Sequence, residues 1–283
     1  MSSIAIITDT DASLPADLAA RYGVQQVPII IQFGLESLRT EIDIDDVSLF
    51  ARIDREGKLP TTAAPSPGQF LEAYEAAFAI GADAIVCLCV SSAISATYGA
   101  AVTAKEMLPD RAIEVVDTRV VSMAQGFMAL AAAEAAQAGA NVAEVVAAAL
   151  AVGGRSHLFG AFSTLKYLAM SGRVGQVAAG FGNLLSVKPI VTMRDGKLDL
   201  LEKVRTRSKS LARVVELTGE ALAGQTIRQM AVLNVAAREE AVAFEAQLRA
   251  ALPCPETIIH ANLTAGLSVH TGAGMLGVVV VAG

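Results

Sequence analysis

The sequence predicts an α/β protein of two domains, with a parallel sheet in residues 1–154 and a mixed sheet in residues 155–283. Three observations carry this prediction. Through the first half, short apolar runs alternate with amphipathic stretches, the pattern of a parallel sheet with right-handed crossovers. The glycine pair Gly153-Gly154 follows a helical stretch and supplies a hinge. Beyond it, the turn signal Arg194-Asp195-Gly196-Lys197 separates two apolar runs, which predicts an antiparallel hairpin.

Taken in order, residues 4–7 read as a first strand ending in Thr8-Asp9-Thr10-Asp11. Residues 15–21 read as a short helix, with Ser13 as its cap and Pro15 in its first turn. Residues 27–33 form a second strand whose Pro28 sits near the start, where a ladder tolerates it. Residues 45–55 are helical, and residues 57–68, with prolines at 60, 65 and 67, form an ordered loop. Phe70, Tyr74 and Phe78 recur every four residues along a helix over 69–79. The unbroken apolar run 84–90 suits a strand buried on both faces. A helix over 95–107, a strand over 113–116 and a long helix over 122–138 follow. In the second half, strands are expected at 158–162, 187–193, 198–204, 230–235, 258–262 and 277–281, with a helix at 239–251.

Composition excludes several classes. The chain is 53% hydrophobic and 18% charged, which rules out a disordered polyelectrolyte. Mean hydropathy is +0.51, yet the Ala-rich stretches carry Glu134, Gln137 and Glu144, and no uninterrupted run reaches the length of a membrane span. Net charge is −6, and the densest basic cluster, Lys203-Val-Arg205-Thr-Arg207-Ser-Lys209, is short. A nucleic-acid partner is therefore not expected; that cluster reads as a solvated face or a local docking site. An apolar strand begins at residue 4 with no basic segment before it, which argues against a signal peptide. Cys87, Cys89 and Cys254 are odd in number and have no histidine nearby, so they read as reduced thiols of a cytoplasmic protein, with no metal expected.

In parallel α/β sheets, ligands bind beyond the carboxyl ends of the strands. Small polar residues gather there, above all in Ser91-Ser92-Ala93-Ile94-Ser95-Ala96-Thr97. Hydroxyls beside the unpaired N–H groups of a helix start make a compact anion site. The loop Pro60-Thr61-Thr62-Ala63-Ala64-Pro65-Ser66-Pro67 can hold a threonine hydroxyl in place or cap the next helix. His270, beside Gly272 and Gly274, is a third candidate, whereas His157 and His260 read as structural. Gly272-Ala-Gly274-Met-Leu-Gly277 matches G-x-G-x-x-G, but it runs into a strand and opens no helix, so no dinucleotide site is expected. A serine hydrolase or transferase using Ser95, His270 and Asp9 is the enzymatic alternative, and it has no local signature.

The motifs also form a combination. Thr8-Asp9-Thr10-Asp11-Ala12-Ser13-Leu14-Pro15 resembles the opening segment of the DegV family, TDSTxDLP. Thr62-Ala63-Ala64-Pro65-Ser66 resembles its TSQPS loop, and Ser91-Ser92-Ala93-Ile94-Ser95-Ala96-Thr97-Tyr98 its SSxLSGTY segment. Val116-Asp117-Thr118, Ser171-Gly172-Arg173-Val174, Val187-Lys188-Pro189-Ile190 and His270-Thr271-Gly272 fall in the family's order, so the resemblance spans essentially the whole chain.

The resemblance implies a two-domain DegV-like fold that binds one long-chain fatty acid, such as palmitate, with no catalytic residue of its own. It implies that a separate fatty-acid kinase phosphorylates the bound carboxylate for phospholipid synthesis. On this likeness Thr62, Ser95, Ala96 and His270 surround the carboxylate, and Arg205 faces the kinase. The acyl chain is expected in a tunnel between the domains, lined partly by residues 29–33. Two departures stand out: the family's Ser-Gln is Ala63-Ala64 here, and its glycine after the loop serine is Ala96.

Overall fold

The computed structural model describes residues 3–173 and 187–283; Val174 of the Ser171-Gly172-Arg173-Val174 motif lies outside them. Strand β1 (Ile4–Asp9) leads into a 3-10 turn, Thr10–Ala12, whose start is fixed by the Asp9 carboxylate accepting the Asp11 N–H. Helix α1 (Ala16–Tyr22) has Pro15 at its cap position and no side-chain cap. The expected cap, Ser13, instead closes the 3-10 turn at φ +49°.

The single strand expected over residues 27–33 is two strands. β2 (Val24–Val27) lies parallel to β1, whereas β3 (Ile30–Phe33) leaves that sheet. Pro28 has no N–H to donate, so the ladder ends there. The next amide, Ile29, donates to the Thr10 hydroxyl at 2.9 Å. β3 then centres a small antiparallel sheet between β4 (Glu36–Arg39) and, after helix α2 (Asp46–Glu56), β5 (Thr61–Ala63). The proline-rich segment read as loop therefore contains a strand, and its register sets Thr62 opposite Ile31.

Helix α3 (Pro67–Ala79) opens with a capping box of Ser66 and Gln69. β6 (Ala84–Cys89) is buried at every position, as its apolar run predicts. Helix α4 (Thr97–Glu106), β7 (Ala112–Asp117), α5 (Met123–Gln137) and α6 (Val142–Gly153) follow. The first sheet is wholly parallel, in the order β2-β1-β6-β7. Gly153 ends α6 in the position read as a hinge, and a Cβ there would lie 2.8 Å from Met128 Sδ.

The second half contains β8 (Ser156–Ala161), α7 (Lys166–Met170), β9 (Lys188–Arg194), β10 (Lys197–Val204), α8 (Arg207–Leu222), β11 (Ile227–Asn234), α9 (Arg238–Ala251), β12 (Ile259–Asn262), α10 (Ala265–Thr271) and β13 (Leu276–Ala282). The sheet order is β10-β9-β8-β13-β11-β12; only β11 and β12 run parallel, so the sheet is mixed. β9 and β10 form the expected hairpin. Helices α7, α8 and α10 go beyond the expected elements, and His270 belongs to α10 rather than to a strand edge.

Helix α5 packs against strands of both large sheets: β1, β2 and β6 on one side, β8, β11 and β13 on the other. A helix held between two sheets must be apolar on most of its surface, and ten residues of α5 are buried, half of them alanine or glycine. Phe127 and Met128 join Val86 and Leu88 of the first sheet to Leu233 and Val279 of the second in one core. Phe127→Ala should therefore lower stability by about 3–5 kcal/mol, as for a large side chain lost from a core that cannot collapse. A denaturant titration showing a loss below about 1 kcal/mol would contradict the central role of α5.

Candidate functional site

A cavity of about 290 Å3 lies among the loops beyond β1, β6 and β7, strand β5, helix α10 and the second sheet. Leu158, Phe162, Val191, Leu233 and Met275 give it an apolar wall. Thr62, Ser95, Ala96 and His270 all line it, although they come from three separate stretches of sequence. Ala63 and Ala64 also line it. Of residues 29–33, only Ile29 does. Arg205 lies elsewhere: it is exposed in the bend between β10 and α8 and makes no ion pair among the described residues.

Thr62 Oγ1 and His270 Nε2 are 3.0 Å apart, a contact across 208 residues of chain. Burial, helped by the charge of Arg173, pushes His270 down to about 4, so its imidazole is neutral at neutral pH. Its other ring nitrogen, Nδ1, is buried without a partner. Gly272, at φ +78°, closes α10 where the Tyr167 ring packs so tightly that a Cβ would sit 2.3 Å from it.

Ser95 precedes α4. Its Oγ accepts the Thr97 N–H at 3.3 Å and pairs with the Thr97 hydroxyl at 2.8 Å. No hydrogen bond joins Ser95 to His270, and no carboxylate orients His270 Nδ1 among the described residues. Asp9 is engaged elsewhere: its two oxygens accept the N–H groups of Asp11 and Val90 at 3.0 and 2.8 Å. The chain of nucleophile, base and orienting acid that a serine hydrolase needs is not assembled.

Arg173, Asp11 and Ser122 are among the lining residues whose polar chemistry had no assigned role. Arg173 brings a cation to the cavity and donates to the Ser171 carbonyl at 2.7 Å; its signal was the Ser-Gly-Arg-Val motif itself. Asp11 and Ser122 bring a carboxyl and a hydroxyl. Asp11 was visible as an acid at the end of the first strand, whereas nothing in the sequence marks Ser122. His157 is half-buried in β8, and His260 pairs with Glu245, in keeping with structural roles.

Two groups of known proteins share this architecture. The family model described as "Uncharacterised protein, DegV family" matches residues 3–283. A DegV domain-containing protein of Streptomyces coelicolor is 38% identical over 277 residues, covering 98% of each chain. The chain belongs to the DegV family. Among solved structures, a DegV family protein of Thermus thermophilus, described as fatty acid binding, superposes with a TM-score of 0.91 at 28% identity, covering 99% of both chains. DegV of Bacillus subtilis, described as a fatty acid binding protein, superposes with a TM-score of 0.88 at 29% identity over 100% of both. No helix among the described residues of this DegV chain is long and apolar enough to cross a membrane. The alanines at 63, 64 and 96 lie directly on the cavity wall and add no polar side chain there.

The depressed His270 value has a defined sign. A histidine held below its ordinary value of about 6.5 contributes stability that is fully present above that pH and is lost as pH falls through 4. Asp9 acts oppposite in direction: burial raises it to about 6, so its contribution is present in acid and lost as pH rises through 6. Comparing wild type with His270→Gln cancels Asp9. Between pH 7 and pH 4 the wild type should lose about 3 kcal/mol more stability than the variant in denaturant titrations. Parallel pH curves would mean that His270 titrates normally.

Proposed function

We propose that this DegV protein binds one long-chain fatty acid, such as palmitate, and presents it to a fatty-acid kinase. The kinase converts the carboxylate to an acyl phosphate, which feeds phospholipid synthesis in the cytoplasm. The observation that carries this reading is the convergence of Thr62, Ser95 and His270 on one cavity whose remaining wall is largely aliphatic. The fatty-acid binding described for the Thermus and Bacillus relatives supports it.

The hydrogen-bond pattern suits a carboxylate. A buried N–H without an acceptor is rarer in proteins than an unpaired acceptor, so the His270 proton belongs on Nε2, facing Thr62 Oγ1. Thr62 then keeps its own O–H to donate to a ligand oxygen. If the Thr97 hydroxyl donates to Ser95 Oγ, Ser95 likewise keeps its O–H. Two neutral hydroxyls orient the head group, with the Arg173 cation on the same cavity, and leave a carboxylate oxygen open to phosphorylation. Affinity comes from the tail: burial of a methylene contributes about 0.8 kcal/mol, so about fourteen of them supply roughly 11 kcal/mol before ordering costs. On this reading residues 1–154 form a domain supplying the hydroxyls, and residues 155–283 one supplying His270 and most of the aliphatic wall.

Replacing Thr62 and Ser95 together by Ala should weaken palmitate binding by about 1–3 kcal/mol in a calorimetric titration, the cost of lost buried hydrogen-bond partners. Unchanged affinity would remove the carboxylate from this position. Arg205 is assigned to the kinase-facing surface, since arginine is enriched among interface anchors and the segment 203–209 is basic on an acidic protein. Arg205→Ala should leave palmitate affinity intact and lower acyl-phosphate formation by the cognate kinase with ATP. Wild-type turnover across a range of carrier concentrations would make Arg205 an ordinary surface charge.

A further inference from the structure

The cavity wall contains a polar notch that a plain acyl chain leaves unused. Asp11 is 92% buried by its 8% relative exposure, and Ser122 is 2% exposed. Both line the cavity, and the Ser122 N–H donates to the Asp11 carbonyl at 2.8 Å, which holds the two residues together. Yet neither side chain is satisfied. Asp11 Oδ1 and Ser122 Oγ are both buried without a partner, and Asp11 Oδ2 accepts no hydrogen bond among the described residues. The wall around them includes the aliphatic Ile29, Val121, Leu263 and Leu267, together with the Arg173 cation, whose charge reaches Asp11. Buried polar groups are almost always paired, so two orphans side by side on a ligand cavity point to a partner that the ligand brings.

The notch has a defined place relative to the head-group cluster. A Cβ on Gly266 would lie 2.9 Å from Asp11 Oδ1 and 3.2 Å from Ile29 Cγ2, so the bare backbone of α10 at Gly266 makes room for the carboxyl. His270 stands four residues later on the same helix face, bonded to Thr62. The two polar spots are thus about one helical turn apart, about 5.4 Å along α10. That step corresponds to a few bonds of an extended acyl chain.

We propose that Asp11, with Ser122, is a specificity-determining residue that hydrogen-bonds a hydroxyl carried by the acyl chain a few carbons from its carboxylate, so that hydroxylated fatty acids are a preferred ligand class. This rests on the fatty-acid reading of the same cavity. Burial, reinforced by the neighbouring Asp9 and opposed by Arg173, holds the Asp11 carboxyl well above the usual carboxylate range. A neutral carboxyl both donates and accepts, as a hydroxyl partner requires, and does not repel the ligand's carboxylate.

The test is a calorimetric titration of the intact protein with palmitate and with 2-hydroxy-, 3-hydroxy- and 16-hydroxypalmitate. The wild type should bind the better of the 2- and 3-hydroxy acids at least as tightly as palmitate, and the 16-hydroxy acid at least tenfold more weakly. In Asp11→Leu, the favoured hydroxy acid should fall tenfold or more relative to palmitate. Asp11→Asn, which keeps the shape and hydrogen-bonding capacity, should retain the wild-type ratio. Should Asp11→Leu fail to fold, the wild-type and Asp11→Asn series decide alone. The inference is overturned if every hydroxy acid binds the wild type tenfold or more below palmitate whatever its position, or if Asp11→Leu leaves the ratios within twofold. Failure of the wild type to bind palmitate or any hydroxy acid would overturn the fatty-acid reading itself, and this inference with it.

Discussion

The packing of α5 between the two large sheets is the constraint on which the rest of the molecule depends. Ten of its fifteen residues are buried, and only its C-terminal part, at Glu134 and Gln137, reaches solvent. Its alanines keep the packing close, and Phe127 and Met128 join Val86 and Leu88 to Leu233 and Val279 in the same core. Its start fixes the cavity. Val121 and Ser122 immediately precede the helix and line the space where helix packing stops and sheet-to-sheet contact has not begun. An apolar void beside a shared core loses dispersion contacts on every wall unless something apolar fills it. A hydrocarbon chain is a suitable filler.

The polar side of the cavity is assembled by α10. This short helix packs against α7, α2, β3, β5 and the 3-10 turn after β1. It therefore touches both the strand that carries Thr62 and the turn that carries Asp11. Gly266 and Gly272 allow two of those approaches, toward the Asp11 carboxyl and the Tyr167 ring. Neither can gain a side chain without moving a neighbour.

Much of this was legible in the sequence, for identifiable reasons. The run at β6 shows no alternation because both faces are covered, and the β9–β10 turn is written in Asp195-Gly196, both at positive φ. Thr62, Ser95 and His270 could be selected because hydroxyls and an imidazole clustered at strand ends and glycine-rich bends. The failures are equally physical. Pro28 looked tolerable at a strand start, whereas it marks where the chain changes sheets, a tertiary event with no local signature. Helix α8 does carry apolar residues at helical spacing, Leu211, Val214, Val215 and Leu222 on its buried side, but Arg207 and Lys209 in its first turn give the segment the pattern of a charged face. Helix α10 has glycine, threonine and valine within seven residues, a composition of poor helix propensity, and tertiary packing overrides it.

The local rules broken around the cavity share one location. Ser122 has φ +57°, unusual for a residue with a side chain, and its hydroxyl is unpaired; Asp11 is a carboxyl in an aliphatic wall; His270 leaves one nitrogen without a partner. Elsewhere many polar groups are paired by ordinary means, such as the capping boxes at Ser66 and Asn141 and the three-way pairing of Arg213 with Glu202, Glu216 and Glu220, although Ser13 Oγ, Gln125 Oε1 and Thr264 Oγ1 are also buried without a partner. The three on the cavity stand beside its neutral hydroxyls and Arg173, where a bound molecule can reach them, and local rules broken at a cavity are the ones that point to a site.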